Sequence, residues 1–204
     1  MTNRKKIIND PVYGFISIPN DLVYNLVGHP WFQRLRNIRQ LGLSSLVYPG
    51  AVHSRFQHCL GAMYLTGQAV HTLRSKDIRI SAAEEEAVLA AILLHDIGHG
   101  PFSHALEHSL IEDMPHETMS LLIMEELNNA MGGKLTDAIA VFRGEYPRRF
   151  FHDLVTGQMD MDRLDYLRRD SFFTGVIEGS VGSDRIIRML NVSDDRLVVD
   201  EKGI

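Results

Sequence analysis

The chain has 204 residues, 45% of them hydrophobic, which is enough for one sizeable core, and it carries a formal net charge of −5. That balance gives no electrostatic basis for a nucleic-acid or membrane partner. A single cysteine, Cys59, excludes an internal disulfide. With no signal-peptide pattern after the charged start, and no strongly apolar run longer than Ala87 to Leu94, we expect a cytoplasmic protein.

Asn9-Asp10-Pro11 and Tyr13-Gly14 are turn signals, and Phe15, Ile16 and Ile18 suit a short strand. From Asn20 the pattern is helical, with Leu22, Val23, Leu26 and Val27 on one face. Gly28-His29-Pro30 breaks this helix, and Pro30 opens the next, in which Trp31, Leu35, Ile38 and Leu41 recur at helical spacing. Leu43 to Gly50 reads as a loop or short strand, and Arg55 to Leu73 as a helix with an apolar stripe. Ser81 and Glu84 form a capping box for a helix that carries Val88, Ala91, Ile92 and Leu94 into His95-Asp96. Further helices are predicted over His116–Leu127, Leu135–Phe142, Asp153–Thr156 and Asp160–Asp170. Arg196 to Val199 reads as one strand of a hairpin, with Asp200 to Gly203 as its turn and the return strand missing. We therefore expect the chain to be a truncated piece of a longer protein. The pattern as a whole predicts a mainly α fold: one helical bundle over residues 1–204, with minor β-structure at both termini.

The run His95-Asp96-Ile97-Gly98-His99-Gly100-Pro101-Phe102-Ser103-His104 follows the apolar helix directly. Further candidate ligands precede it (His53, His58) and follow it (His116, Asp160, Asp162). His58 is placed mid-helix, His95 and Asp96 at a helix end, and Asp162 on a later helix. Three helices converging on one point hold a metal as bundle proteins do. Two imidazoles with two carboxylates suit zinc, iron, manganese or cobalt better than calcium. An isolated histidine or aspartate in a helix is usually structural. A His-Asp pair placed beside a buried face is costly unless it is partnered. Of the 21 Lys and Arg only five are Lys, and Arg is the better residue for phosphate, although shared surface duty explains the bias equally well.

His58…His95-Asp96…Asp162 resembles the metal-binding signature of the HD-domain phosphohydrolases. Asp10-Pro11-Val12-Tyr13-Gly14, Phe32-Gln33-Arg34-Leu35-Arg36, Gln40-Leu41-Gly42, Pro49-Gly50-Ala51, His53-Ser54-Arg55-Phe56-Gln57-His58, the His95–His104 run and Asp160-Met161-Asp162-Arg163-Leu164-Asp165-Tyr166 all resemble one branch of that family, the deoxynucleoside triphosphate triphosphohydrolases. The resemblance implies a single HD-domain bundle. It implies a divalent metal (zinc, iron, manganese, magnesium, nickel or cobalt) on His58, His95, Asp96 and Asp162. It implies Arg55 on phosphate, and His99, His104 and His116 lining a phosphate pocket, with His116 protonating the leaving oxygen and Glu107 orienting one histidine. Tyr166 and Asp170 would meet the sugar, and Gln40 the sugar or the edge near the base. The implied reaction releases intact triphosphate from a nucleotide by attack at the innermost phosphorus. A histidine beside phosphate is expected to have its charged form favoured.

The family's guanine-nucleotide-activated member has an acidic residue just before the Pro-x-Phe-Gln-Arg-Leu-Arg segment. Gly28-His29 stands there in this chain, so guanine-specific activation is not expected even though Arg36 matches a phosphate-facing position. Arg34, Arg36 and Arg39 read equally well as a solvated helix face. Self-association as a dimer or tetramer is the family's habit, and Trp31, Tyr48 and the methionines are candidates for an interface. Two other readings stand beside the triphosphohydrolase. One is an HD phosphohydrolase of monophosphates, signalling nucleotides or another phosphate ester. The other is a non-catalytic nucleotide- or nucleic-acid-binding module.

Overall fold

The computed structural model describes residues 6–102, 115–177 and 182–200. A short hairpin opens it: β1 (Ile7–Asp10) pairs antiparallel with β2 (Gly14–Ser17), Ile7 opposite Ser17 and Asp10 opposite Gly14. The Asp10 carboxylate accepts the N–H groups of Val12 and Tyr13 at 2.9 and 3.0 Å, and Gly14 leaves the turn at φ +75, a conformation glycine tolerates.

Helix α1 (Asp21–Gly28) starts where Asn20 caps the Val23 N–H, and it buries the predicted face of Leu22, Val23, Leu26 and Val27. The next helix ends earlier than its periodicity predicts. Helix α2 (Pro30–Gln33) tightens into a 3-10 turn over Arg34–Asn37, and Ile38 is already extended. Tertiary pairing overrides the local pattern here. The Arg55 N–H bonds the Ile38 carbonyl at 2.9 Å, the Gln40 N–H bonds the His53 carbonyl at 3.0 Å, and Arg39 bridges Ser54. Gly42–Leu46, which overlaps the Leu43 to Gly50 stretch read as a loop or short strand, is a second 3-10 turn.

The bundle is built on α3 (Arg55–Ser75) and α4 (Ala82–Leu94). The Ser81–Glu84 capping box forms as predicted, with bonds of 2.7 and 3.2 Å. Every residue of α4 from Ala87 to Leu94 is buried. Burial of a full Leu or Ile side chain contributes about 1.5–3 kcal/mol, so this helix and α3 supply a large share of the core. Around it pack α1, α3, α6 (Thr136–Arg143) and α7 (Arg149–Val155). Helix α5 (His116–Ala130) lies against α6, and α8 (Met161–Thr174) lies along α3. The last helix, α9 (Ser183–Met189), also packs on α3.

The closing hairpin corrects the sequence reading. Arg196–Val199 is β4, and its partner lies upstream: β3 (Leu190–Ser193), with Leu190 opposite Val199. The turn is Asp194-Asp195, both left-handed at φ 49 and 58, a shape short polar side chains accept. Asp153 ties this hairpin to α7 by accepting Arg196 Nε at 2.8 Å and the Leu197 N–H at 3.0 Å. Among the described residues, no helix is long and apolar enough to cross a membrane.

Candidate metal centre

Three helix ends meet at one point. His58 lies in the first turn of α3, not mid-helix as the sequence suggests; His95 caps the C-terminus of α4, with Asp96 next to it; Asp162 lies in the first turn of α8, behind the N-cap Asp160. His58 Nε2 stands 3.3 Å from His95 Nε2 and 2.9 Å from Asp162 Oδ1. His95 Nε2 is 3.4 Å from the same oxygen, and ligand atoms of these three residues all lie within 4.8 Å of one another. Asp96 adjoins the group, 3.5 Å from His95 Nε2 and 3.8 Å from His58 Nε2.

The donor chemistry tests whether a cation fits. His95 Nδ1 faces the Ile92 carbonyl at 2.6 Å, and a carbonyl only accepts, so Nδ1 carries the hydrogen. His58 Nδ1 faces the Asp165 carboxylate at 2.7 Å and donates for the same reason. Both Nε2 atoms are left with lone pairs pointing at each other and at two carboxylates. These inward-facing acceptors call for positive charge, part of which Arg55 brings to Asp96 and the rest of which a proton or a metal ion would supply. The ionisations show the same demand. Burial disfavours a charged His58, but Asp162 and Asp165 outweigh it and raise the pKa to about 10. His95 is raised against burial by Asp96 and Asp162. Burial also opposes ionisation of Asp96 and Asp162, yet the facing histidines, with Arg55 at Asp96, hold both below the usual carboxylate range. A divalent ion fits this set of two imidazoles and two carboxylates.

The buried Arg55, first residue of α3, donates from Nη1 to Asp96. His99 Nε2 lies 3.1 Å from the other Asp96 oxygen, and its ring stacks on His116 with centroids 3.9 Å apart. Without phosphate beside it, burial lowers the His99 pKa to about 4 despite the pull of Asp96. Neutral at pH 7, it holds Asp96 as a donor. His116 opens α5 and meets Glu117 at 3.2 Å. His104 and Glu107 lie outside the described residues.

Tyr166 and Asp170 follow Asp162 at one and two turns along the same face of α8. Burial raises the Tyr166 pKa. Asp170 pairs with His53 at 2.7 Å, so His53, a candidate ligand by type, sits away from the cluster. Asp160, another candidate, is a cap: it accepts the Arg163 and Gly157 N–H groups at 2.7 and 2.8 Å. Gln40 Oε1 is buried with no partner among the described residues.

Several supporting residues escape a reading by residue type. Arg34 does not lie on a solvated face. It donates to the carbonyls of Ile97 and His99 at 2.6 and 3.0 Å and so holds the loop after Asp96. Ser120 bridges that loop to α5, giving its hydroxyl to the His95 carbonyl at 2.8 Å and accepting the Gly98 N–H at 2.9 Å. A Cβ at Gly98 would fall 2.3 Å from the Ser120 nitrogen, so only glycine fits. Asp165 and Arg169, an i,i+4 pair on α8, are both fully buried behind His58. Their i,i+4 spacing, and for Asp165 its place in the Asp160–Tyr166 motif, are the signals of them in the sequence.

Residues 55–170 match the HD domain family. The chain is 35% identical to the uncharacterized protein YwfO of Bacillus subtilis, over 99% of this chain and 48% of that protein. It is 31% identical to the deoxynucleoside triphosphate triphosphohydrolase SAMHD1 of Homo sapiens, over 93% of this chain and 36% of that one. The crystal structure of a phosphohydrolase from Bacteroides thetaiotaomicron superposes with a TM-score of 0.95 at 62% identity, covering 98% of this chain and 50% of that one. The chain thus spans about half the length, or less, of these relatives. The convergent histidines and aspartates fall within the matched segment, and the chain belongs to the HD-domain phosphohydrolase family.

Proposed function

We propose that this chain hydrolyses (deoxy)nucleoside triphosphates to nucleoside and intact triphosphate. The observation that carries this reading is the grouping of Arg55, His99 and His116 around Asp96, with Tyr166 and Asp170 further along α8. A polyphosphate needs several cationic or donor partners beside the metal ligands, and a nucleotide also needs polar contacts beyond them. The named activity of the human relative, at 31% identity, supports the same substrate class.

His58, His95, Asp96 and Asp162 would hold a divalent ion, which supplies Lewis-acid activation of a phosphoryl oxygen and of water. Arg55 orients a phosphate oxygen beside Asp96 and offsets its charge. His99 keeps Asp96 in place by hydrogen bonding, and His116 gives a proton to the departing O5′. Water oxygen bonds to the innermost phosphorus as the P–O5′ bond breaks, the proton that the water loses returns through solvent to the His116 that protonated O5′, and the products are nucleoside and triphosphate. Self-association as a dimer or tetramer fits the exposed apolar side chains Trp31, Leu46, Val47 and Tyr48.

The test is product analysis with each ribo- and deoxyribonucleoside triphosphate, in Mn²⁺ or Mg²⁺ and with chelator as control. Chelator-sensitive release of nucleoside with intact triphosphate supports the reading. Release of monophosphate or single phosphate moves the chain to a different phosphohydrolase class.

A further inference from the structure

Behind His58 runs a line of buried charge that ends in the N-terminal hairpin. Asp165 accepts from His58 Nδ1 at 2.7 Å. Arg169 gives Nε and Nη2 to the two Asp165 oxygens at 2.9 and 3.0 Å. Its Nη1 reaches Asp10 Oδ2 at 2.8 Å, across 159 residues of sequence. Asp10, Asp165 and Arg169 have side chains 3%, 0% and 0% exposed. Gly61 closes the space: a Cβ there would fall 2.0 Å from Asp165 Oδ1 and 2.3 Å from Arg169 Nη2.

Buried ion pairs are expensive and contribute little stability against apolar replacements, so three such groups behind one histidine call for another reason. The charge count supplies one. Arg169 and Asp165 alone would sum to zero, and the guanidinium would cancel the carboxylate that His58 feels. A second carboxylate on the same guanidinium leaves the line at −1, so Asp165 stays an effective anion toward the imidazole. An imidazole with a strong acceptor at Nδ1 is a better ligand through Nε2.

We infer that Asp10 is a metal-positioning residue, acting from the hairpin turn through Arg169 and Asp165 on His58. The inference rests on the reading of His58, His95, Asp96 and Asp162 as metal ligands. It makes the β1–β2 hairpin part of the centre's support although it contributes no ligand.

The experiment measures the Mn²⁺ dissociation constant of the whole chain by competition with a chelating dye, with thermal melts of the metal-free protein alongside. Asp10→Asn keeps the side-chain oxygen that accepts the Val12 and Tyr13 N–H groups and removes the charge. It should weaken Mn²⁺ about tenfold, the lower end for residues supporting a ligand, and Asp165→Asn should weaken it by about 10- to 100-fold. Asp10→Ser, which also keeps a turn acceptor, is the second variant and should weaken binding as Asp10→Asn does. Unchanged Mn²⁺ affinity in either folded Asp10 variant, with binding lost in His95→Ala, overturns the inference. Unchanged binding in His95→Ala overturns the ligand assignment, and the inference with it.

Discussion

His53 and Asp170 lie 117 residues apart in sequence and meet side chain to side chain at 2.7 Å, on the face of α8 that begins with Asp162. The His53 ring is buried and stacks on Phe173 at 4.6 Å, and its backbone carbonyl holds the N–H of Gln40. One residue thus fixes the side chain of one sugar-contact candidate and the backbone of another. Gly50 permits the close approach: a Cβ there would fall 2.2 Å from the Phe173 carbonyl oxygen.

His53→Ala should therefore raise KM for the nucleotide more than it lowers kcat, while Mn²⁺ affinity holds. A hydrogen bond to a charged group contributes about 1.5–3 kcal/mol, so a KM increase of roughly tenfold or more is expected. His53→Gln, which keeps a donor, should recover part of it. Steady-state kinetics on the three proteins decides; an equal fall in kcat with KM unchanged would refute the positioning role.

Asp162→Ala should abolish both metal binding and turnover while the fold survives. Its side chain is 32% exposed at the start of α8, and the buried His58 that faces it keeps Asp165 as a charge partner. Asp96→Ala should stop turnover too, but with a stability cost, because the buried Arg55 loses the carboxylate it donates to. Metal content, circular dichroism and product assays on both variants check this contrast. Turnover at the parent rate in either variant would remove that residue from the site.

Metal uptake at pH 7 should release at least one proton per ion. The pKa of His58 without metal is raised from 6.5 to about 10, so its imidazole is protonated at neutral pH and must yield that proton to a metal. The same shift sets a stability window. A raised folded pKa contributes stability that is complete below 6.5 and is lost as pH climbs through about 10. In chelator, the melting temperature should fall across that interval from this group; with Mn²⁺ bound, the dependence should flatten. Calorimetry in buffers of different ionisation enthalpy counts the protons, and melts at several pH values test the window.

Gly61→Ala should destabilise the chain by at least the about 1–3 kcal/mol typical of an overpacked core, and should weaken metal binding in whatever fraction still folds. The atoms a methyl would meet belong to Asp165 and Arg169, which are held on several sides and have no room to swing away. Denaturant melts and dye competition measure the two effects separately.

The sequence made the helices legible wherever a cap or an unbroken apolar pattern marked them, as at Asn20, Ser81 and the Ala87–Leu94 run. It misled at Ile38 and Leu41, where helical spacing lost to backbone pairing with His53–Arg55, a contact no local window contains. It placed the strand Arg196–Val199 correctly but missed its partner upstream, because two adjacent aspartates in left-handed conformation make a tighter turn than their composition advertises. The convergent His58, His95 and Asp162 were readable because their residue types are unusual beside apolar helix ends. Asp10, Arg169 and His53 were not readable as supports, since ordinary polar residues acquire such roles only from partners more than a hundred positions away.

The three converging ligands are spread from His58 to Asp162 in chain order. On a ribosome this makes the centre a late event. Helices α3 and α4 have already emerged and can pair when Asp162 is still unsynthesised, and the acceptor groups of His58 and His95 wait without their third partner. Ion capture therefore reports that α8 has docked, so a pulse of labelled metal during synthesis would time that docking rather than the earlier pairing of α3 with α4.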